Sequence, residues 1–162
     1  MLVGGKVQFT PRKPDALFDV LTPVVRGLDM TLIETVVSQH RGSVHIRIVV
    51  YKDGVVGIDD CSKVHRAVVP RLDLAFPQAD YSVEVSSPGI ERLFKDASEF
   101  ALFIGRGVRC YRKDISEWTG GILESADEKQ ITLETGHGTV SLLYDIIAKA
   151  KLDKSYEVYS KE

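Results

Sequence analysis

The stretch EVSSPGIERLF, residues 84–94, decides how this chain is organised. It begins as a strand, with valines on both sides of Glu84, and two serines, a proline and a glycine then interrupt it. Pro88 fixes its own φ and holds the residue before it extended, while Gly89 permits a backbone angle that other residues resist. We therefore predict an interdomain hinge made of Ser86, Ser87, Pro88 and Gly89.

The residues before the hinge predict a small α/β domain over residues 15–88, preceded by a flexible leader at 1–14. The predicted order of elements is α-β-β-α-β, in which helices on one face of a small sheet bury its apolar side. Pro23 and Pro70 are expected to bend or end their helices. The helices are expected at 15–28 and from the Asp59–Asp60 cap to Leu72, and the strands at 30–40, 44–51 and 81–86.

The residues after the hinge predict a small β-barrel over residues 89–154, followed by a polar tail at 155–162. A short helix capped by Asp96 and Glu99 comes first. Five short strands with tight turns between them indicate a closed or half-closed barrel. The strands are expected at 108–112, 118–125, 131–135, 139–143 and 148–152, with one helical turn at 144–146.

Composition excludes several classes of protein. The chain has 21 basic and 23 acidic residues, and the balance is 10 to 10 before the hinge and 11 to 13 after it. Bulk attraction to nucleic acid is therefore not indicated, and any such contact needs a local patch. No apolar run is long enough for a membrane span. Cys61 and Cys110 are too few for a disulfide framework, which indicates free thiols in a reducing cytoplasm.

Five pieces of the sequence, taken in order, resemble the RimP family of bacterial ribosome maturation factors. The hinge stretch EVSSPGIERLF has the family's Ser-Ser-Pro-Gly pattern, although Leu93 stands where the family usually has a second proline. The resemblance covers about residues 15–154. The other pieces are GVVGIDDCSKVHRAV (54–68), FALFIGRGVRC (100–110), TGGILESADEKQITLE (119–134) and DIIAKAKL (145–152).

The resemblance implies a cytoplasmic assembly factor that binds the free 30S small ribosomal subunit and assists its late maturation without catalysis. It implies an α+β protein, with a small N-terminal α/β sandwich joined to a C-terminal Sm-like or SH3-like barrel. The implied partners are ribosomal protein S12 and the adjacent 16S rRNA, and we expect a monomer with no membrane contact, cofactor or metal. The alternative is a stand-alone Sm-like RNA-binding regulator, which would bind naked RNA strongly.

The stretch RGVRCYRKD, residues 106–114, is the best candidate ribosome-binding surface. On a strand, Arg109 and Tyr111 share one face, so the charges do not form one stripe. A solvated barrel rim is the plain alternative to contact with RNA phosphates. Arg92, at the hinge, either ties the two domains together or faces the ribosome. The candidate residues are Arg92, Arg106, Arg109, Tyr111, Arg112 and Lys113.

Three patterns were compared with catalytic, metal-binding and anion-binding sites. Ser87 or Cys61 would be the nucleophile of a small hydrolase, but no base and orienting residue accompany either one. Cys61 and His65 have the spacing of two zinc ligands, but a closed site needs two more. The hinge serines could cradle an anion with backbone amides, as turns sometimes do. We therefore predict no catalytic residue and no metal site.

Overall fold

The structure, a computed structural model, describes residues 9, 12–53, 55–89 and 92–161. Most of the predicted leader lies outside these residues, as do Gly54 of the predicted turn and Ile90 and Glu91 beside the hinge. The fold class is α+β, as predicted. The described chain divides into two compact units, one of Pro14–Pro88 and one that starts at Gly89 and includes the described residues before Pro14.

The N-terminal unit has two helices and a three-stranded sheet in the predicted order. Strand β2 is central, antiparallel to β1 and parallel to β3. The β1–β2 hairpin turns through Arg41 at φ 51° and Gly42 at φ 83°, and a type I′ turn needs positive φ at both positions. The elements are α1 (Ala16–Arg26), β1 (Thr31–His40), β2 (Ser43–Tyr51), α2 (Ile58–Ala75) and β3 (Asp80–Ser86).

One face of this sheet forms the core of the unit. Four alternating apolar side chains of β2 are buried on this face. Both helices place their apolar stripes against it. The buried residues are Val44, Ile46, Ile48 and Val50 from β2, Leu21 and Val25 from α1, and Val64, Val68 and Leu72 from α2.

The ends of the two helices differ from the prediction. Pro23 and Pro70 lie inside α1 and α2, and α2 continues past its proline to Ala75. The N-cap of α2 is Gly57, not an aspartate, because the helix begins one residue before the Asp59–Asp60 pair. Asp60 instead accepts a hydrogen bond of 3.0 Å from the Gly57 N–H, which satisfies an amide at the helix start from within the first turn.

The C-terminal unit contains one short helix and one five-stranded antiparallel sheet. The five predicted strands are confirmed, and the sheet order is β7-β6-β5-β4-β8. Within the described residues, no pairing between β7 and β8 closes this sheet. The elements are α3 (Ser98–Leu102), β4 (Gly107–Arg112), β5 (Glu117–Ala126), β6 (Gln130–Thr135), β7 (Gly138–Leu143), a 3₁₀ turn (Tyr144–Ile146) and β8 (Ile147–Leu152).

A cluster of aromatic rings forms one end of the core of this unit. The ring of Phe100 lies 4.8 Å from that of Phe94 and 5.6 Å from that of Tyr144, between centroids. Phe9, from the predicted flexible leader, is buried and meets Phe100 edge to face at 5.4 Å. Arg12 also pairs with Asp96 at 3.8 Å. At these described positions the leader is therefore packed on the C-terminal unit.

The predicted polar tail is a second packed segment. Lys154–Lys161 forms a 3₁₀ helix that follows β8 directly. The ring of Tyr156 lies so close to Gly120 on β5 that a Cβ at that position would overlap it. A second glycine, Gly107 on β4, donates its N–H to a Glu157 carboxylate oxygen at 2.9 Å. The segment thus packs against β4 and β5 through two positions without side chains.

Candidate functional site

The strand register gathers cationic and aromatic side chains on one face of the C-terminal sheet. Arg109 on β4 lies opposite Lys151 on β8, and Tyr111 lies opposite both Lys149 on β8 and Trp118 on β5. The residues between them, including Val108, Cys110 and Ala150, are buried on the other side. We call this surface the outer face; it consists of Arg109, Tyr111, Trp118, Lys149 and Lys151.

Trp118 is the centre of the outer face. It is the chain's one tryptophan, and its side chain is 40% exposed, whereas tryptophan is highly buried on average. The Arg109 guanidinium carbon lies 4.8 Å from the ring centroid and the Lys151 Nζ lies 5.7 Å from it. Both distances are within the range of cation–π attraction. The Tyr111 ring meets Trp118 nearly edge-on, at 5.5 Å and 72°. The indole is therefore held in place while much of it stays in solvent.

A groove of about 380 Å³ lies beside Trp118. Leu93, which is 58% exposed, forms a bridge with Lys151 and so extends the sheet by one short edge segment. Its lining combines apolar side chains with three lysines, and none of the described lining residues is acidic. The lining residues are Phe9, Leu93, Phe94, Lys95, Trp118 and Ala148–Lys151.

Two of the predicted arginines are paired with acids from the C-terminal end. Arg106 Nη2 lies 3.2 Å from Glu157 Oε1, and Arg109 Nε lies 3.4 Å from Asp153 Oδ2, an ion pair without a hydrogen bond. Partial burial raises the pKa of Asp153, but hydrogen bonds from Ser155 and the charges of Arg109 and Lys151 outweigh it, so the pKa is below its usual value. These acids neutralise part of the positive charge near the outer face.

Arg112 and Lys113 lie at the end of β4, away from the alternation of the outer face. A β-bulge shifts the register between Tyr111 and Arg112. Arg112 donates two hydrogen bonds to Asp114, of 3.1 and 2.7 Å, and these bonds raise the pKa of Arg112 and lower that of Asp114. Lys113 is exposed, and its backbone N–H bonds to the Ile146 oxygen at 2.7 Å.

Arg92 is buried within the C-terminal unit. Its Nε and Nη2 donate to the two carboxylate oxygens of Glu99 at 2.7 and 2.8 Å, and the side chains are only 9% and 1% exposed. Glu99 also accepts the Lys95 N–H at 3.2 Å. The N-cap of α3 is Ala97, without a side-chain cap bond, so the predicted cap of Asp96 and Glu99 is wrong. Because Arg92 and Glu99 belong to one unit, this pair neither joins the two units nor presents a charge to solvent.

The predicted hinge lies mostly in a connection after β3. Strand β3 ends at Ser86, and Ser87, Pro88 and Gly89 follow without helix or strand. The φ of Gly89 is not in the left-handed range, and a Cβ there would meet no heavy atom within 4 Å. The expectation that Gly89 supplies a special backbone angle is therefore wrong.

The residues considered for a hydrolase or a zinc site line one pocket of the N-terminal unit. Cys61, His65 and Ser87 line a pocket of about 510 Å³. Among the described residues, no hydrogen bond joins any two of these three side chains, and no group of three or more metal-ligating side chains occurs. Burial raises the pKa of the Cys61 thiol, and the charge of Asp60 adds to this effect, which disfavours the reactive thiolate.

A model of the RimP N-terminal domain matches residues 20–91, which is most of the N-terminal unit. The chain carries a RimP N-terminal domain. The predicted resemblance to the RimP family is thereby confirmed, and this family consists of non-catalytic ribosome maturation factors. The match ends before the outer face, so the family model itself says nothing of Trp118 or the lysines beside it. No helix in the described part of the chain is long and apolar enough to cross a membrane.

Sequence reasoning missed three of the five residues of the outer face. Trp118, Lys149 and Lys151 were read only as parts of strands. The signal was present, because lysines alternate with alanines in Ala148–Lys151 and place both charges on one side of β8. The cross-strand register that joins this side to Arg109 and Tyr111 is set by tertiary pairing.

Proposed function

We propose that this protein is a non-catalytic maturation factor that binds the free 30S subunit and assists its late assembly. The match to the RimP N-terminal domain carries the proposal. In this proposal the partners are ribosomal protein S12 and the adjacent 16S rRNA. The protein acts in the cytoplasm as a monomer, without cofactor or metal, and residues 86–89 act as the hinge between its two domains.

The C-terminal unit is proposed to be a small Sm-like barrel. Five short antiparallel strands of 6 to 10 residues support this architecture. The two edge strands follow each other in the chain through a single 3₁₀ turn, Tyr144–Ile146. The edge of β8 is also covered, because the Phe94 N–H donates to the Ala150 oxygen and the Leu152 N–H to the Arg92 oxygen. Covered edges protect such a unit from pairing with other chains.

The outer face is the proposed contact of the C-terminal domain with the ribosomal particle. Of the six candidate residues, Arg109 and Tyr111 belong to this face, and Trp118, Lys149 and Lys151 join them. Arg92 is left out of this proposed contact, because its side chain is buried with Glu99. A patch of cations around aromatic rings suits RNA phosphates and bases, although the chain as a whole has a formal charge of −2.

The mechanism we propose is selective binding. A factor that binds one conformer of the immature particle shifts the population toward that conformer by its differential affinity. Two domains that each bind weakly gain effective concentration while both are engaged, and loss of either contact speeds release. The mature particle must therefore offer at least one of the two contacts less well.

Sedimentation of cell extracts tests this function. The protein, detected with an antibody, is expected in the free 30S fractions and absent from 70S ribosomes and polysomes. The variant Lys149→Gln is expected to weaken this association, and Arg112→Gln serves as the control because Asp114 already neutralises that arginine. A protein found only in ribosome-free fractions at low salt would contradict the proposal, and equal loss in both variants would remove the outer face from it.

A further inference from the structure

We propose that the groove beside Trp118 binds one unpaired nucleotide of a single-stranded RNA segment, with its base against the indole and its phosphates on Lys149 and Lys151. This inference rests on the proposed function, which it deepens by naming the ligand of the outer face. The geometry of the groove, its charge and the exposure of its aromatic ring each point to this ligand.

The groove has the size and shape of a small-ligand site. Its volume of about 380 Å³ lies at the lower end of the range for such sites, which suits one nucleotide better than a protein segment. Its lining is largely apolar and includes Leu93, Ala150 and Trp118. A planar base can enter such a slot with its faces on apolar groups and its phosphates outside.

The charges around the groove favour a polyanion. Lys95, Lys149 and Lys151 stand at its border, and its described lining contains no carboxylate. Arg109 lies 4.8 Å from the centroid of the indole, does not line the groove and is paired with Asp153. Lysine is a compact and mobile point charge, so Lys149 and Lys151 can follow phosphates that Arg109 does not reach.

The exposed tryptophan favours RNA over an acidic protein as the ligand of the groove. Acidic side chains would satisfy the lysines, but they have no flat surface to place on an indole that is 40% exposed. Every base has such a surface, and stacking on an aromatic ring is the usual way in which proteins hold unpaired bases without reading their sequence. The preset orientation of the ring, held by Tyr111 and Arg109, lowers the cost of ordering it on binding.

Fluorescence of Trp118 tests the proposal directly, because it is the chain's single tryptophan. The full chain is titrated with a uridine oligonucleotide of about 12 residues, which spans a typical single-strand site. We expect saturable quenching that a duplex of the same length does not reproduce. A second titration, by anisotropy of the labelled oligonucleotide, compares the wild type with Trp118→Ala, and loss of one stacked base weakens binding about 5- to 150-fold.

The lysines are tested by the salt dependence of binding. Lys149→Gln with Lys151→Gln removes two phosphate contacts and is expected to reduce the slope of log K against log salt by about 1.4. Lys63→Gln with Lys129→Gln is the matched control, because both lysines are exposed, neither lines the groove and the charge change is the same. Circular dichroism of each variant checks that it is folded.

The outcomes separate this inference from the proposed function. Absence of quenching, or unchanged affinity in folded Trp118→Ala, overturns the nucleotide site, and a poly-glutamate peptide that binds as well as RNA assigns the face to a protein instead. Retained 30S association without oligonucleotide binding overturns only the nucleotide site. Oligonucleotide binding without 30S association supports the nucleotide site and contradicts the proposed function.

Discussion

Replacing Arg92 by alanine should destabilise the C-terminal unit severely while it leaves the N-terminal unit folded. The Arg92–Glu99 pair is bidentate, at 2.7 and 2.8 Å, and almost fully buried. Without its partner, Glu99 would remain as a charge at 1% exposure with only the Lys95 N–H, at 3.2 Å, as a described donor. Removing one partner of a buried ion pair typically lowers the free energy of unfolding by about 3–5 kcal/mol.

A loss of this size would be plain in urea unfolding. With an m-value of about 1.5 kcal/mol/M for a small unit, the urea midpoint of the C-terminal unit falls by about 2–3 M. Trp118 reports on this unit alone, because no tryptophan occurs in the N-terminal unit. Tryptophan fluorescence should therefore show the shifted transition, while far-ultraviolet circular dichroism retains a later phase from the N-terminal helices.

The double variant Arg92→Met with Glu99→Leu is the matched control. Replacing both charges by apolar side chains of similar size removes the uncompensated carboxylate, so most of the lost stability should return. A coupling energy of at least about 2 kcal/mol in the double-mutant cycle is expected. If Arg92→Ala shifts the midpoint by less than about 0.3 M, the pair is not the buried structural element that its geometry indicates.

Two further perturbations test the packing of the C-terminal unit and the reactivity of the thiols. Burial raises the pKa of Cys110 to about 12, so at pH 8 only about one thiol in 10,000 is ionised; a disulfide reagent should label Cys61 first and Cys110 only after unfolding, and equal rates in the native protein would contradict this burial. Gly120→Ala places a Cβ against the Tyr156 ring and should cost about 1–3 kcal/mol in thermal unfolding, whereas Gly136→Ala, with open space at that position, should be nearly neutral.

The N-terminal sheet was predictable because its residues carry a local pattern. Val44, Ile46 and Ile48 alternate with His45 and Arg47, and this alternation assigns the buried face of the strand. The N-terminal family match covers the same region. By contrast, the sequence does not fix where α2 ends, because the helix continues past Pro70 to Ala75 although proline removes one of its hydrogen bonds.

The candidate site was only partly predictable, because ion pairing over long sequence distances decides which charges reach the surface. The pattern of β4 places Arg109 and Tyr111 together, as predicted. Nothing in the same stretch indicates that Asp153 and Glu157, more than 40 residues later, pair with Arg109 and Arg106. A charge count over RGVRCYRKD therefore overestimates the free positive charge of this surface.

Ion pairing with carboxylates separates the arginines of the C-terminal unit from the lysines beside the groove. A planar guanidinium can donate two hydrogen bonds to one carboxylate. Arg92 and Arg112 are both paired in this way within the unit, so their charges are largely neutralised. Within the described residues, no ion pair joins Lys149 to a carboxylate, and its ammonium stands beside the groove. At physiological salt, charges are screened over about 8 Å, so this local lysine surface attracts phosphates even though the chain is slightly acidic. Few phosphate contacts imply modest affinity, which suits a factor that must leave the particle once assembly is complete.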